Sequence, residues 1–86
     1  MKRRLKVFYV YRLVSAKFPS RNYTGFTADL RQRLLDHNAG KSRFTAPFRP
    51  WKLRFYAAFE SQSMARQFEL YLKSGSGIAF GNKRLW

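Results

Sequence analysis

Leu5 to Val14 is the stretch that most limits what this chain can become. It reads LKVFYVYRLV. Val7, Tyr9, Tyr11 and Leu13 fall on one face of an extended segment, and Phe8, Val10 and Val14 fall on the other. A strand that is apolar on both faces belongs inside a sheet that is covered on both sides. The rest of the chain has to supply the flanking strands and the covering layers. A chain of 86 residues predicts one domain, 1–86, with a single modest core. Residues 1–6 form a basic leader and residues 78–86 a basic-aromatic tail.

The order of elements follows from local patterns. Ser15 to Arg21, with Pro19 and Ser20, is a loop, and Asn22 to Phe26 returns as a shorter strand, which makes a hairpin. Thr27 is a good N-cap residue, so the first helix is expected from Thr27 to Ala39, with Asp29 in its first turn and Gly40 as its stop. Leu30 and Leu34 share a face, and Arg33 and His37, also four apart, run along the same side. Gly40 to Pro50 is a loop rich in basic residues and phenylalanine, with Phe44 and Phe48 expected to pin it to the core. Trp51 to Phe59 is a third strand, in which Leu53, Phe55, Ala57 and Phe59 alternate with Lys52, Arg54, Tyr56 and Ala58. Glu60 to Ser63 offers caps for a second helix that runs to Lys73, with Met64, Ala65, Phe68, Tyr71 and Leu72 as its apolar stripe. Ser74-Gly75-Ser76-Gly77 ends it, and the tail docks back through Ile78, Phe80 and Trp86. The class is α+β, in the order β-β-α-β-α. The first two strands are antiparallel, and the long connection leaves the direction of the third open.

Charge then narrows the partner. Lys and Arg total 18 against 4 Asp and Glu, a net charge of +14. That much self-repulsion is best explained by a polyanionic partner, with nucleic acid first. Lys41, Arg43, Arg49, Lys52, Lys73, Lys83 and Arg84 are the candidate nucleic-acid contacts, and basic residues interleaved with aromatics suit backbone and base packing. The chain shows no long basic amphipathic helix and no run of membrane-spanning length, so a membrane partner is not expected. The basic leader is not a signal peptide, because Tyr9, Tyr11 and Arg12 interrupt the apolar run. The expected location is the cytoplasm, with nucleoid association in a bacterial cell. The absence of cysteine excludes disulfides, zinc-thiolate sites and thiol nucleophiles. Self-association or membership of a larger complex is compatible with the size.

Few carboxylates are available for catalysis: Asp29, Asp36, Glu60 and Glu69. A two-metal nuclease site needs several that converge. Asp29 has a helix-start role, Asp36 points away from the Leu30/Leu34 face, and Glu60 sits at a strand-helix junction. Glu69 remains, beside the apolar stripe. One carboxylate can hold one magnesium ion if water and phosphate oxygens complete its shell. Arg33 can stabilise charge that develops on a phosphate, and a tyrosine or His37 can take the proton of an attacking water. Each residue also has an ordinary explanation. Glu69 can pair with Lys73 or Arg66, Arg33 can pair with Asp29, His37 can be a hydrogen-bonded residue near a helix end, and the tyrosines can be strand aromatics.

Taken together and in order, these residues resemble the GIY-YIG nuclease family. Tyr9-Val10-Tyr11 corresponds to the first motif, with Tyr11 in the tyrosine position and Tyr9 in place of glycine. Tyr23-Thr24-Gly25 corresponds to the second, with Thr24 in place of isoleucine. Arg33 stands where the helix arginine stands, His37-Asn38 followed by Gly40-Lys41-Ser42 looks like the stretch of small bacterial members, and Glu69 falls at the metal-binding glutamate. The lysine that follows the second motif in repair endonucleases is Phe26 here, and Asn82 is the tail's one candidate for a late asparagine. The resemblance covers Val7 to Leu85. It implies a central three-stranded antiparallel sheet flanked by helices, and metal-dependent hydrolysis of DNA phosphodiesters. Branched, flapped or damaged DNA would be the substrate. Its catalytic set would be Tyr11, Tyr23, Arg33, His37 and Glu69, with one divalent cation, magnesium or manganese, on Glu69. A tyrosine base with an ordinary pKa near 10 then predicts a rate that rises with pH above neutrality. The other classes left open are a non-catalytic nucleic-acid-binding module on the same fold and a structural component of a larger complex.

Overall fold

The structure, a computed structural model, describes residues 6–86. Most of the basic leader, and the expected strand start at Leu5, lie outside the described residues. The strand that is apolar on both faces is central, as its pattern requires. β1 (Phe8–Ser15) lies between β2 (Asn22–Thr27) and β3 (Trp51–Phe59), and both pairings are antiparallel. This is the expected α+β architecture.

Each face of the sheet has its own core. On one, Tyr11, Leu13 and Trp51 pack with Tyr23, Leu30, Leu34 and Phe48 beneath α1 (Leu30–Asn38). On the other, Val10, Ala65 and Leu72 pack with Phe8, Phe26, Phe59 and Phe68 beneath α2 (Gln62–Lys73). Strict alternation along β3 does not hold. Leu13 pairs with Leu53 while Arg12 pairs with Phe55, so Arg54 is an extra residue in a bulge. The bulge shifts the phase. Trp51 and Leu53 serve the α1 face, whereas Phe55, Ala57 and Phe59 serve the α2 face, so one strand fills both cores.

The helices and the loop between α1 and β3 correct four expectations. α1 starts at Leu30, not Thr27, because Asp29 is the N-cap and its carboxylate accepts from the Gln32 N–H at 3.1 Å. Thr27 is still in β2, and its hydroxyl accepts from the Asp29 N–H at 3.0 Å. Gly40 does end α1, at φ +79°, a conformation that favours glycine. Phe48 is half-buried, but Phe44 is 81% exposed and pins nothing. Residues 75–86 are not a loosely docked tail, since Gly75–Arg84 forms a further helix, α3. Ser74 caps both helices there, because its N–H bonds to the Tyr71 carbonyl and its hydroxyl accepts from the Gly77 N–H. A Cβ on Gly77 would collide with the Tyr71 carbonyl oxygen, so only glycine lets α3 turn this tightly off α2. Within the α2 stripe, Ala65, Phe68 and Leu72 reach the core, while Met64 and Tyr71 remain largely exposed.

Candidate active site

The site begins with what glycine permits. Tyr11 on β1 pairs with Gly25 on β2. A Cβ at Gly25 would lie 2.5 Å from the Tyr11 hydroxyl oxygen and 2.8 Å from Tyr23 Cε2. The Tyr11 ring therefore lies across the bare backbone of β2. Tyr23 packs beside it, with ring centroids 6.1 Å apart.

His37, in the last turn of α1, is fully buried against both tyrosines. Its Nε2 lies 2.8 Å from the Tyr11 hydroxyl and its Nδ1 lies 2.8 Å from Thr45 Oγ1. Burial, and then the charge of Arg33, lower the imidazole pKa below its ordinary value, so the ring is neutral near pH 7 and carries one hydrogen. The partners assign that hydrogen. Arg33 lies beside the Tyr11 oxygen, and a guanidinium can only donate. The Thr45 hydroxyl hydrogen is directed at the Ser42 carbonyl, 3.5 Å away, so its oxygen is left to accept from His37 Nδ1–H and Nε2 is left to accept from the Tyr11 hydroxyl. Thr45 is itself held, since its carbonyl accepts from Trp51 Nε1–H at 2.8 Å. A relay thus runs from Tyr11 through His37 to Thr45, with the imidazole and the threonine hydroxyl shielded from water.

Burial pushes the Tyr11 phenol up to about 12. The Arg33 guanidinium pulls it back, and the nearby Tyr23 and Glu69 charges raise it further. Arg33 keeps its proton more firmly because of the Tyr11 hydroxyl, despite partial burial. It does not pair with Asp29, whose carboxylate is taken by the cap.

Glu69 is 8% exposed and faces inward from α2. Arg66 Nη1 lies 3.3 Å from one carboxylate oxygen and Lys73 Nζ lies 3.1 Å from the other. The ordinary pairings are therefore both made, yet on a carboxylate whose charge is felt at Tyr11. No group of three or more potential metal-ligating residues occurs among the described residues, so Glu69 is not part of a carboxylate cluster.

The chain around this site has a counterpart among known proteins. Residues 7–79 match the family described as the GIY-YIG catalytic domain. The chain belongs to the GIY-YIG family. Its GIY-YIG relatives include UPF0213 proteins from Streptococcus pyogenes serotypes M5, M3 and M1, each 42% identical over 52 residues. That stretch is 59% of this chain and 56% of each relative, so the chain spans little more than half the length of the relatives it matches. Their names state no activity.

In this GIY-YIG domain, Tyr11, Tyr23, Arg33 and His37 come together, and Glu69 approaches from the opposite layer. The basic residues are more scattered. Lys73 is bound to Glu69, and Lys41 pairs with Asp36 at 3.3 Å. Arg43 and Arg49 are exposed on the loop after α1, where Arg49 Nε–H donates to the Ala46 carbonyl at 2.8 Å. Lys52 is exposed on β3, and Lys83 and Arg84 are exposed at the end of α3. The Asn82 side-chain oxygen accepts from Trp86 Nε1–H at 3.0 Å. Sequence reasoning missed Thr45, which no local pattern distinguishes from a loop threonine. Arg66, expected only as a partner of Glu69, also places its guanidinium 3.9 Å over the Phe26 ring.

Proposed function

We propose that this domain is a metal-dependent endonuclease that hydrolyses DNA phosphodiester bonds, acting as one unit on branched or damaged DNA during repair or recombination. The observation that carries the reading is the 2.8 Å bond between Tyr11 and a buried, neutral His37, made possible by Gly25. Any buried phenol needs a hydrogen-bond partner, and here that partner is a neutral imidazole, which can take up a proton.

The residues fit one divalent cation. Two basic side chains surround the Glu69 carboxylate, and both are about half exposed, with Arg66 at 55% and Lys73 at 49%. They can swing into solvent, leaving a carboxylate suited to a hard cation that takes its other ligands from water and phosphate. Magnesium, with manganese as the alternative, would be held by Glu69 and would supply positive charge against the phosphate as it becomes more negative.

The chain's own groups do the rest. Arg33 donates to the non-bridging oxygens of the scissile phosphate. Tyr11 accepts the proton of the attacking water while its own hydrogen passes to His37 Nε2. The water oxygen forms the new P–O bond, the scissile P–O bond breaks, and the departing oxygen takes a proton from solvent. Free tyrosinate is not required. With Tyr11 at about 12 it would be on the order of 10⁻⁴ of the population at pH 8. The pH dependence expected above neutrality therefore moves to the acid side, where His37 titrates. Thr45 is a positioning residue that keeps Nε2 free. Tyr23 orients the imidazole by packing, with ring centroids 4.9 Å apart.

The test is a panel of plain, nicked, flapped and four-way DNAs, incubated with magnesium, manganese or chelator. Wild type is expected to cut at least one with metal and none with chelator. Glu69→Gln is expected to bind DNA and cut nothing. A wild type that binds the panel and yields no product under either metal is a non-catalytic nucleic-acid-binding module, and the reading falls.

A further inference from the structure

On the α2–α3 side of β2 runs a groove of about 510 Å³ that the chemistry above does not use. Arg12, Asn22, Thr24, Lys73 and Asn82 form its polar lining, and no carboxylate lines it. We propose that this groove seats a backbone phosphate of the DNA strand next to the scissile one, with Arg12 as its main ligand. This rests on the nuclease reading for the position of the strand, but not for the site's existence.

The groove is continuous with the reaction centre through two residues. Tyr23 packs on His37 and also lines the groove, and Lys73 holds Glu69 and also lines it. A strand whose phosphate sits at Arg33 can therefore continue past Tyr23 without leaving basic surface.

Arg12 is presented as an anion ligand. It is half-buried on the central strand, and it takes part in none of the three ion pairs found among the described residues. Its guanidinium carbon lies 4.0 Å over the Trp86 ring. Stacking uses the face of the guanidinium and leaves its N–H donors at the edge. One of them reaches Thr24 Oγ1 at 3.4 Å, and no other acceptor for the group is found among the described residues. The indole platform is itself fixed, by its N–H on Asn82, by Phe55 at 5.8 Å between centroids, and by Gly81, where any Cβ would collide with the ring.

A second cation reinforces the first. A smaller pocket of about 160 Å³ next to the groove is lined by Arg12, Asn22 and Arg54 among others. Burial and the Arg54 charge both work against the charge on Arg12. An anion between them would relieve that repulsion, and a phosphate diester matches the planar donor edge. If Arg12 served only to clamp Trp86, no second arginine or open groove would be needed.

The test uses the full chain in the Glu69→Gln background, which removes cleavage from the measurement. Binding to a fluorescent DNA from the panel is followed over a salt series, with and without Arg12→Gln. The variant is expected to bind roughly tenfold to hundredfold more weakly, and its log K against log salt slope is expected to fall by about one. A methylphosphonate placed at each position in turn should reveal one phosphate whose neutralisation weakens the Arg12 protein but not Arg12→Gln. If Arg12→Gln lowers Tm, Asn22→Ala, exposed at the rim of the same groove, replaces it, with a smaller loss at the same phosphate. Unchanged affinity and slope overturn the site, as does weaker binding with an unchanged slope. Absence of cleavage by wild type would defeat the nuclease reading alone, because the phosphate scan does not depend on it.

Discussion

Gly25→Ala adds one methyl group at the point where the Tyr11 ring crosses β2. The new carbon would lie 2.5 Å from the Tyr11 hydroxyl oxygen, 2.6 Å from its Cζ and 2.8 Å from Tyr23 Cε2. Favourable contact between such atoms begins near 3.5 Å, so the rings must retreat by about 1 Å. Tyr11 has nowhere to go: it is 1% exposed and packs against Tyr23 and His37. A retreat of that size stretches the 2.8 Å bond to His37 Nε2 towards the limit of hydrogen bonding. Overpacking costs about 1–3 kcal/mol, and replacing a strand glycine returns about 0.5–1 kcal/mol. The net loss of about 1–2 kcal/mol corresponds to a Tm lower by roughly 5–15 °C in a domain of this size. The catalytic loss should be larger, on the order of 10²-fold in kcat, because the displaced atom is the proton acceptor itself. The assay is single-turnover cleavage of whichever DNA in the panel is cut, alongside thermal unfolding and DNA binding in chelator. Binding should hold, since no basic side chain moves. A Gly25→Ala protein with wild-type kcat and Tm would show that the ring does not depend on a bare β2 backbone, and the relay geometry would be wrong.

Two further perturbations probe the same chain of groups. Tyr11 has a native pKa of about 12 against about 10 when unfolded, so its raised pKa stabilises the fold fully below pH 10 and that contribution is lost as pH rises to 12. Two units correspond to about 3 kcal/mol, so denaturant titrations should show wild type losing about that much more stability than Tyr11→Phe across this window, and parallel curves would refute the burial argument. His37, lowered below the ordinary 6.5, must be neutral to accept a proton, so cleavage should fall only below pH 6.5 and run flat above it, whereas a rate still climbing through pH 9 would point to tyrosinate. Thr45→Val keeps the volume but leaves His37 Nδ1–H without an acceptor, costing about 1–3 kcal/mol, and should change the pH profile as well as kcat, while Thr45→Ser should restore both. Equal behaviour of Val and Ser at this position would remove Thr45 from the relay.

Much of the fold was legible because β1 is apolar on both faces, which forces it into the centre. The order of elements followed from punctuation: Pro19, Gly40 and the Ser74–Gly77 run. What could not be read were decisions made by single side chains. Asp29 and Thr27 are both good caps and each accepts a backbone N–H, Thr27 from Asp29 and Asp29 from Gln32, but the helix begins only after the second. The β3 bulge answers a demand from two cores at once, and no period-two pattern contains it. α3 escaped because glycine-rich segments read as breakers, yet Gly77 and Gly81 are there to let the Tyr71 carbonyl and the Trp86 ring come close. Within the candidate site, Tyr11, Tyr23, Arg33, His37 and Glu69 were picked out by the resemblance to the GIY-YIG family, since each alone has an ordinary explanation. Thr45 and Arg12 were not, because their roles depend on partners that the local pattern does not pair with them: His37, across the turn after α1, for Thr45, and Trp86, at the other end of the chain, for Arg12.

Glu69 is the residue for which the ordinary and the catalytic accounts make different demands on the same contacts. A helical glutamate that merely pairs with its neighbours has no reason to be buried, because exposed ion pairs are worth well under about 1 kcal/mol each and leaving water costs a carboxylate more than that. Here the carboxylate side chain is 11% exposed while its partners are 55% and 49% exposed. The asymmetry means that the acid is fixed by the packing of α2 on the sheet, and the cations come to it. Such an arrangement stores negative charge at a fixed point in the α2 layer, close enough to help raise the Tyr11 pKa, and neutralises it with groups that are free to leave. A metal ion and a phosphate arriving together can displace Arg66 and Lys73 at little cost. Once displaced, those side chains are cations without partners at the mouth of the site, where a polyanion would take them up.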